Sequence, residues 1–197
     1  PYLKVYQIHS ATLETGVLGN KEVLTKLAYL KKEHKLKIGL TTTGTNQLKV
    51  IKKALNVLVD GVQVFDLFQV TYNILDQSLK EISDELLSQN KSIVIKEALA
   101  NGRLLKNKNF PHYTKMYVTL ENLSKKHKVG VDAICLKYCE QTIANSIVLS
   151  GASNSKQLKE NIKTNTFLLS NNEIELLNSF KITTDTYWEE RKKLPWN

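Results

Sequence analysis

The chain is predicted to be α/β, with one parallel sheet of about five strands covered by helices, either part of a (β/α)8 barrel or a small open sheet. Three observations predict it. Short apolar runs alternate with amphipathic stretches along the whole sequence. Polar residues collect just after those runs, at His9, Thr41 to Thr43, Gln69 to Asn73, Lys96 to Arg103 and Gly151 to Asn154, the sheet end where chemistry is assembled in parallel α/β folds. The G-x-G-x-x-G turn of the open dinucleotide-binding sheet is absent. Periodicity leaves both architectures open, because five strand–helix units are present where a closed barrel needs eight.

Each element has its own local signal. Leu3 to His9 is a strand rich in β-branched and aromatic residues. Lys21 to Glu33 follows as a helix, with Val23, Leu24, Leu27 and Leu30 on one face and Asn20 as N-cap. Leu36 to Thr41 is the second strand and Asn46 to Val59 the next helix. Val64 to Val70 is the third strand and Leu79 to Gln89 the third helix. Ser92 to Ile95 is the fourth strand, followed by a polar loop through Pro111. Met116 to Lys126 and Val131 to Gln141 are helices, the second opened by Asp132, and Ser146 to Leu149 is the fifth strand. Ser155 to Thr164 and Asn171 to Phe180 are the remaining helices, the latter expected to be the last.

Bulk properties remove several function classes. Of 197 residues, 42% are hydrophobic and 24% charged, ordinary for a chain that builds a core. No apolar run approaches the length of a membrane span, and no cationic-then-apolar leader opens the chain. The net charge of +9 raises the question of nucleic acid, but the lysine run Lys31, Lys32, Lys35 and Lys37 is broken by Glu33 and His34 at a helix end, where cations favour the dipole. Aromatics do not alternate with the basic residues as a single-strand binder requires. A basic field suits an anionic cofactor or substrate instead. Cys135 and Cys139 lie four apart on one helical face, without metal partners, and are expected to be buried thiols of a reducing, cytoplasmic compartment. No metal site is expected.

Four motifs, in order along nearly the whole chain, resemble the aldo-keto reductases. Tyr6 to Ser10 is similar to that family's fourth strand, which ends in its catalytic histidine. Phe68 to Asn73 is similar to the sixth strand and its Q-x-x-Y-N turn. Ala98 to Leu104 resembles the loop after strand seven that covers the cofactor pyrophosphate. Gly151-Ala152-Ser153-Asn154, with Gln157 and Glu160-Asn161, resembles the eighth-strand motif at the adenosine end. The segment Tyr187 to Arg191 is also similar to the end of bacterial and potassium-channel β-subunit-like members. The resemblance implies a partial TIM (β/α)8 barrel, with residues 1–197 the C-terminal part of one barrel domain whose N-terminal strands are absent. It also implies hydride transfer between NADPH and a small aldehyde or ketone. The family's tyrosine acid, lysine and aspartate come from its first three strands, so only His9 is carried over as catalytic.

The residues themselves support these roles to different degrees. A strand-end imidazole such as His9 can orient a carbonyl oxygen with its N–H. Gln69 offers a donor and an acceptor that complement a nicotinamide carboxamide. Thr41 and Thr42 stand where the family presents a Ser-Asn pair to the same group; hydroxyls are kept and the asparagine amide is lost. Lys96 stands where many members stack an aromatic ring, and a lysine instead pairs with phosphate or with Glu97. Leu99, Gly102 and Arg103 belong to the pyrophosphate loop, glycine allowing close backbone approach and arginine a bidentate contact. Gly151 and Ser153 precede a helix whose free N–H groups favour phosphate. Lys156 and Gln157 are placed to read a 2′-phosphate, and Glu160 and Asn161 to meet adenine.

The leading expectation is therefore an NADP-dependent oxidoreductase represented by its C-terminal portion. A non-catalytic cofactor-binding subunit, like the potassium-channel β-subunits, and an inactive fragment are the alternatives. Unpaired strand edges at Leu3 to His9 and Ser146 to Leu149 predict self-association or union with the missing N-terminal half.

Overall fold

A computed structural model describes residues 2–195. The chain resolves into two compact units, one of Pro1–Thr71 with Leu79–Val94 and one of Tyr72–Ser78 with Ile95–Asn197. Five strands, β1 (Val5–Ala11), β2 (Lys37–Thr42), β5 (Leu67–Thr71), β6 (Ser92–Lys96) and β7 (Ile147–Val148), form one sheet in that order, with the predicted α/β alternation of parallel strands and helices.

In the first unit, β1 (Val5–Ala11) pairs in parallel with β2 (Lys37–Thr42), and β2 with β5 (Leu67–Thr71). Between β1 and β2 runs α1 (Lys21–His34), started by the Asn20 side chain accepting from the Val23 N–H. Its buried stripe is Leu24 and Leu27, whereas Val23, expected on that face, stays exposed. Helix α2 (Gln47–Leu55) is shorter than the predicted 46–59 stretch. Its expected last turn is a two-stranded hairpin, β3 (Leu58–Val59) and β4 (Val62–Gln63). The turn residues Asp60 and Gly61 have φ of 50° and 77°. An Asp-Gly pair of this hand matches strand twist and outcompetes helix propensity. The predicted 79–89 helix splits into a 3-10 turn, Ser78–Glu81, and α3 (Ser83–Ser88). Ile38, Leu40, Val50, Ile51, Phe68 and Val70 are fully buried.

The sixth strand, β6 (Ser92–Lys96), passes its last two residues to the second unit. There, α4 (Thr114–His127) and α5 (Val131–Thr142) precede the two-residue β7 (Ile147–Val148), and just after it the Leu149 N–H donates to Ile95 O of β6. Helix α6 (Ser155–Ile162) is capped by Asn154, and α7 (Asn171–Asn178) by a reciprocal Ser170–Glu173 capping box. The chain does not stop helically at 180: α8 (Thr184–Lys192) follows, capped by the Thr183 hydroxyl. Its low apolar content hid it, since only Tyr187 and Trp188 are buried. Cys135 and Cys139 are buried and unbonded to each other. No helix among the described residues is long and apolar enough to cross a membrane.

Candidate functional site

The first unit holds His9, Thr41, Thr42 and Gln69. His9 does not end its strand as expected but sits inside it, two residues before Ala11. The β1–β2 register slips between Ile8 and Ala11, which face Leu40 and Thr42, so one extra residue bulges out. Ser10 adopts a left-handed φ of 50° there, and its hydroxyl lies 3.4 Å from His9 Nε2. A bulge of this kind re-aims the flanking side chain, and His9 is exposed.

Gln69 accepts a 2.8 Å bond at Oε1 from Gln7 Nε2, leaving its own NH2 without a partner among the described residues. Gln7 has no role among the expected site residues, yet the contact depends on a local signal. Gly39 lies opposite Gln7 in register, and a Cβ there would stand 2.8 Å from Gln7 Cβ. A glycine inside a strand marks such a close approach. Thr42 donates to Gln69 O at 3.4 Å, while the Thr41 hydroxyl is buried with no partner among the described residues. Gln47 clamps the end of β5: its Nε2 donates to Thr71 O and its Oε1 accepts from Thr71 N, each at 3.1 Å.

The second unit holds the other expected residues. Here the segment after β6 is a left-handed loop, with φ of 58° at Glu97, 48° at Ala100, 54° at Asn101 and 84° at Gly102. Left-handed backbone at non-glycine residues costs roughly 1–3 kcal/mol each and persists only where surroundings fix it. Glu97, Ala98, Leu99, Asn101 and Gly102 wall a cavity of about 490 Å³ together with Leu149, Ser150 and Gly151. At Gly102 a Cβ would meet nothing, so its φ explains the residue; at Gly151 neither φ nor crowding does.

Lys96 lies 3.7 Å from Glu97 and 5.8 Å above the Trp188 ring. Burial pushes its ammonium pKa down, partly countered by the Glu97 charge. Arg103, expected to reach phosphate, is 0% exposed. Its guanidinium donates to Ala100 O, Tyr187 O and Glu190 Oε2, all at 3.0 Å, and stacks 4.0 Å from the Tyr187 ring centre. This arginine holds the loop from behind.

At the α6 N-terminus, Gln157 folds back, accepting from Ser153 N and Oγ at 2.8 and 2.9 Å. Lys156 is exposed beside it. Glu160 bonds Lys163 at 2.8 Å. Asn161 is buried, and its amide fits best donating to Asp132 at 2.8 Å and accepting from Ser150 at 2.8 Å, so it braces the motif from within. Ser153 and Lys156 are exposed, the Ser153 N–H and hydroxyl both donating to Gln157, and Gln157 and Asn161 shape the turn. No cluster of three or more His, Cys, Asp or Glu side chains able to hold a metal occurs among the described residues.

The family model described as "Aldo/keto reductase family" matches residues 1–182. No curated protein sequence matches the chain significantly. Among solved structures, the apo form of the aldo-keto reductase AKR11C1 from Bacillus halodurans superposes with a TM-score of 0.70 at 22% identity, covering 92% of this chain and 63% of that one. A mutant of Gox0644 in complex with NADPH gives 0.69 at 21%, covering 92% and 60%. The thermostable aldo-keto reductase Tm1743 with the inhibitor epalrestat gives 0.66 at 23%, covering 91% and 60%. This chain thus spans about 60% of the length of these structures, and the likeness is one of fold.

Proposed function

The chain belongs to the aldo/keto reductase family, and from that premise we propose that it carries the dinucleotide-binding portion of an NADP-dependent oxidoreductase acting on small aldehydes or ketones. The observation that carries the reading is the cavity of the second unit, walled by left-handed backbone at Glu97, Asn101 and Gly102 and by a Gly151 that the fold itself does not require. The Ala100 and Gly102 N–H groups are bonded within the loop, to Glu97 O and Leu99 O, so what the segment offers a pyrophosphate is close backbone approach at Gly102 and Gly151. Ser153 and Lys156 then take the 2′-phosphate at the α6 N-terminus. Arg103 acts from behind the loop, and Gln157 and Asn161 hold the α6 turn in shape. Leu99 walls the cavity, and Glu160 lies one turn into α6, toward adenine.

In the first unit, the unpartnered Gln69 NH2 and the orphaned Thr41 hydroxyl suit a nicotinamide carboxamide, with Thr42 fixing the Gln69 backbone. When bound, NADPH supplies a hydride. His9 orients the carbonyl oxygen by donating from its ring. Lys96, paired with Glu97, sets the charge at the end of β6 and does not stack. Acid catalysis, worth about 100- to 10,000-fold, falls to none of the residues assigned here. A cofactor-binding subunit without turnover is therefore the second reading, favoured by the surroundings of His9, whose ring bonds only Ser10 Oγ among the described residues.

Equilibrium binding of NADPH and NADH to the purified chain tests the first reading. NADPH should bind more tightly, and Lys156→Glu should erode the preference by roughly 10- to 100-fold, the worth of one charge-assisted contact. Equal affinities for the two cofactors, unchanged in the variant, would reject it.

A further inference from the structure

Helix α8 begins at Thr184, just beyond the 182 residues matched by the family model, yet its side chains bond the loop that walls the cavity. Three of its side chains converge on the loop from Glu97 to Arg103. Tyr187 Oη donates to Glu97 Oε2 at 2.9 Å and accepts from Asn73 Nδ2 at 3.0 Å. Arg191 Nε donates to Glu97 Oε1 at 3.3 Å. Glu190 Oε2 accepts from Arg103 at 3.0 Å and from Tyr113 Oη at 2.8 Å, and Glu190 Oε1 meets His112 Nε2 at 3.0 Å.

The two ends of the loop are thereby tied to one helix. At the first end Glu97 is left-handed, and its carbonyl accepts from the Asn73 amide and the Ala100 N–H. At the other, Arg103 sends Nε back to Ala100 O while its backbone carbonyl accepts from Tyr117 Oη. Between them Ala100, Asn101 and Gly102 keep a conformation that L-residues otherwise avoid, with the cavity along the same segment. The clasp and the cavity meet at Glu97, which lines the cavity and also bonds α8; Arg103 turns to α8, and Leu99, Asn101 and Gly102 line the cavity.

We propose that α8 is a positioning clasp, in which Tyr187 and Glu190 hold the 97–103 loop in its left-handed, phosphate-receiving shape through Glu97 and Arg103. The proposal rests on the nucleotide reading above and adds to it a set of positioning residues outside the matched region. None of these side chains touches the ligand. Their effect is on loop order, hence on any ligand group that needs the loop backbone.

The test uses the full chain with Tyr187→Phe and Glu190→Gln, and two probes, adenosine 2′,5′-bisphosphate, which has no pyrophosphate, and 2′-phospho-ADP-ribose, which has one. Amide exchange of 97–104 should quicken about tenfold in Tyr187→Phe, while α5 amides keep their protection. Affinity for 2′-phospho-ADP-ribose should fall by about the same factor, and affinity for adenosine 2′,5′-bisphosphate should stay within about twofold. Glu190→Gln should act in the same direction; if it does not fold, Tyr187→Phe alone decides. Equal weakening of both probes, or exchange that quickens throughout the unit, would reduce α8 to a stabilising element and overturn the clasp. So would unchanged loop exchange in a variant that binds both probes normally. Failure of the parent chain to bind either probe would instead overturn the nucleotide reading on which the clasp rests.

Discussion

Glu173 joins the end of α4 to the start of α7, and its replacement gives a stability change whose pH dependence can be worked out. Burial pushes its carboxyl upward, but Lys126, the Ser170 backbone, His127 and the Ser170 hydroxyl outweigh it and hold the pKa from 4.5 down to about 2. The bonds are 2.9 Å from Lys126, 2.9 Å to His127 Nε2, and 2.7 and 2.9 Å from Ser170 N and Oγ. A displacement of that size corresponds to about 3 kcal/mol favouring the charged folded state. Lys126 is largely exposed, so solvent screening reduces the figure to about 2 kcal/mol. Because the folded pKa is depressed, this stability is fully present above the unfolded value near 4.5 and is lost as pH falls toward 2. Glu173→Gln should therefore cost about 2 kcal/mol at pH 7, with the same cost at pH 6 and about half of it left at pH 3. Urea titrations of parent and variant at those three pH values, followed by circular dichroism, measure it. A difference that does not change from pH 7 to pH 3 would show that charge contributes nothing, and the reasoning would fail.

Two further outcomes follow from burial and edges. Arg103→Met should destabilise the chain by about 3 kcal/mol, because it strips donors from Ala100 O and Tyr187 O and leaves Glu190 partly unpaired; a urea-derived loss under about 1 kcal/mol would contradict the buried pairing. The chain should associate with rising concentration through β1, the terminal strand of the sheet, beside which Tyr2, Leu3 and Tyr6 are 100%, 58% and 49% exposed; sedimentation should show a concentration-dependent mass that Tyr6→Lys lowers, and a strict monomer at high concentration would refute it.

Much of the fold was legible because the strands of parallel sheets are short apolar runs and the helices between them keep a 3.6-residue stripe. Asn20, Ser170 and Asn154 mark helix starts by chemistry that needs no tertiary context. The misplaced pieces have equally local causes. Asp60-Gly61 carried a hairpin signal that helix periodicity masked, and α8 buries so little apolar surface that its Thr183 cap was the main clue. The bulge at His9 depends on the pairing of β1 with β2, which no window on one strand reveals. The candidate site was legible as motifs but not as contacts. Arg103 suits a phosphate by residue type, and only tertiary structure pairs it with Glu190, 87 residues away. Gln7 became legible only beside Gly39, because the space a missing Cβ leaves is defined by the neighbouring strand.

We propose that the second unit receives a 2′-phosphorylated adenine dinucleotide at the 97–103 loop and the α6 N-terminus. Titrating the isotopically labelled chain with NADP+ and following backbone amide shifts tests it most directly. Saturable shifts are expected at Leu99 to Gly102 and at Gly151 to Lys156, with α4 and α7 unmoved. Saturable binding whose shifts fall elsewhere, or no shifts at millimolar cofactor, would contradict it.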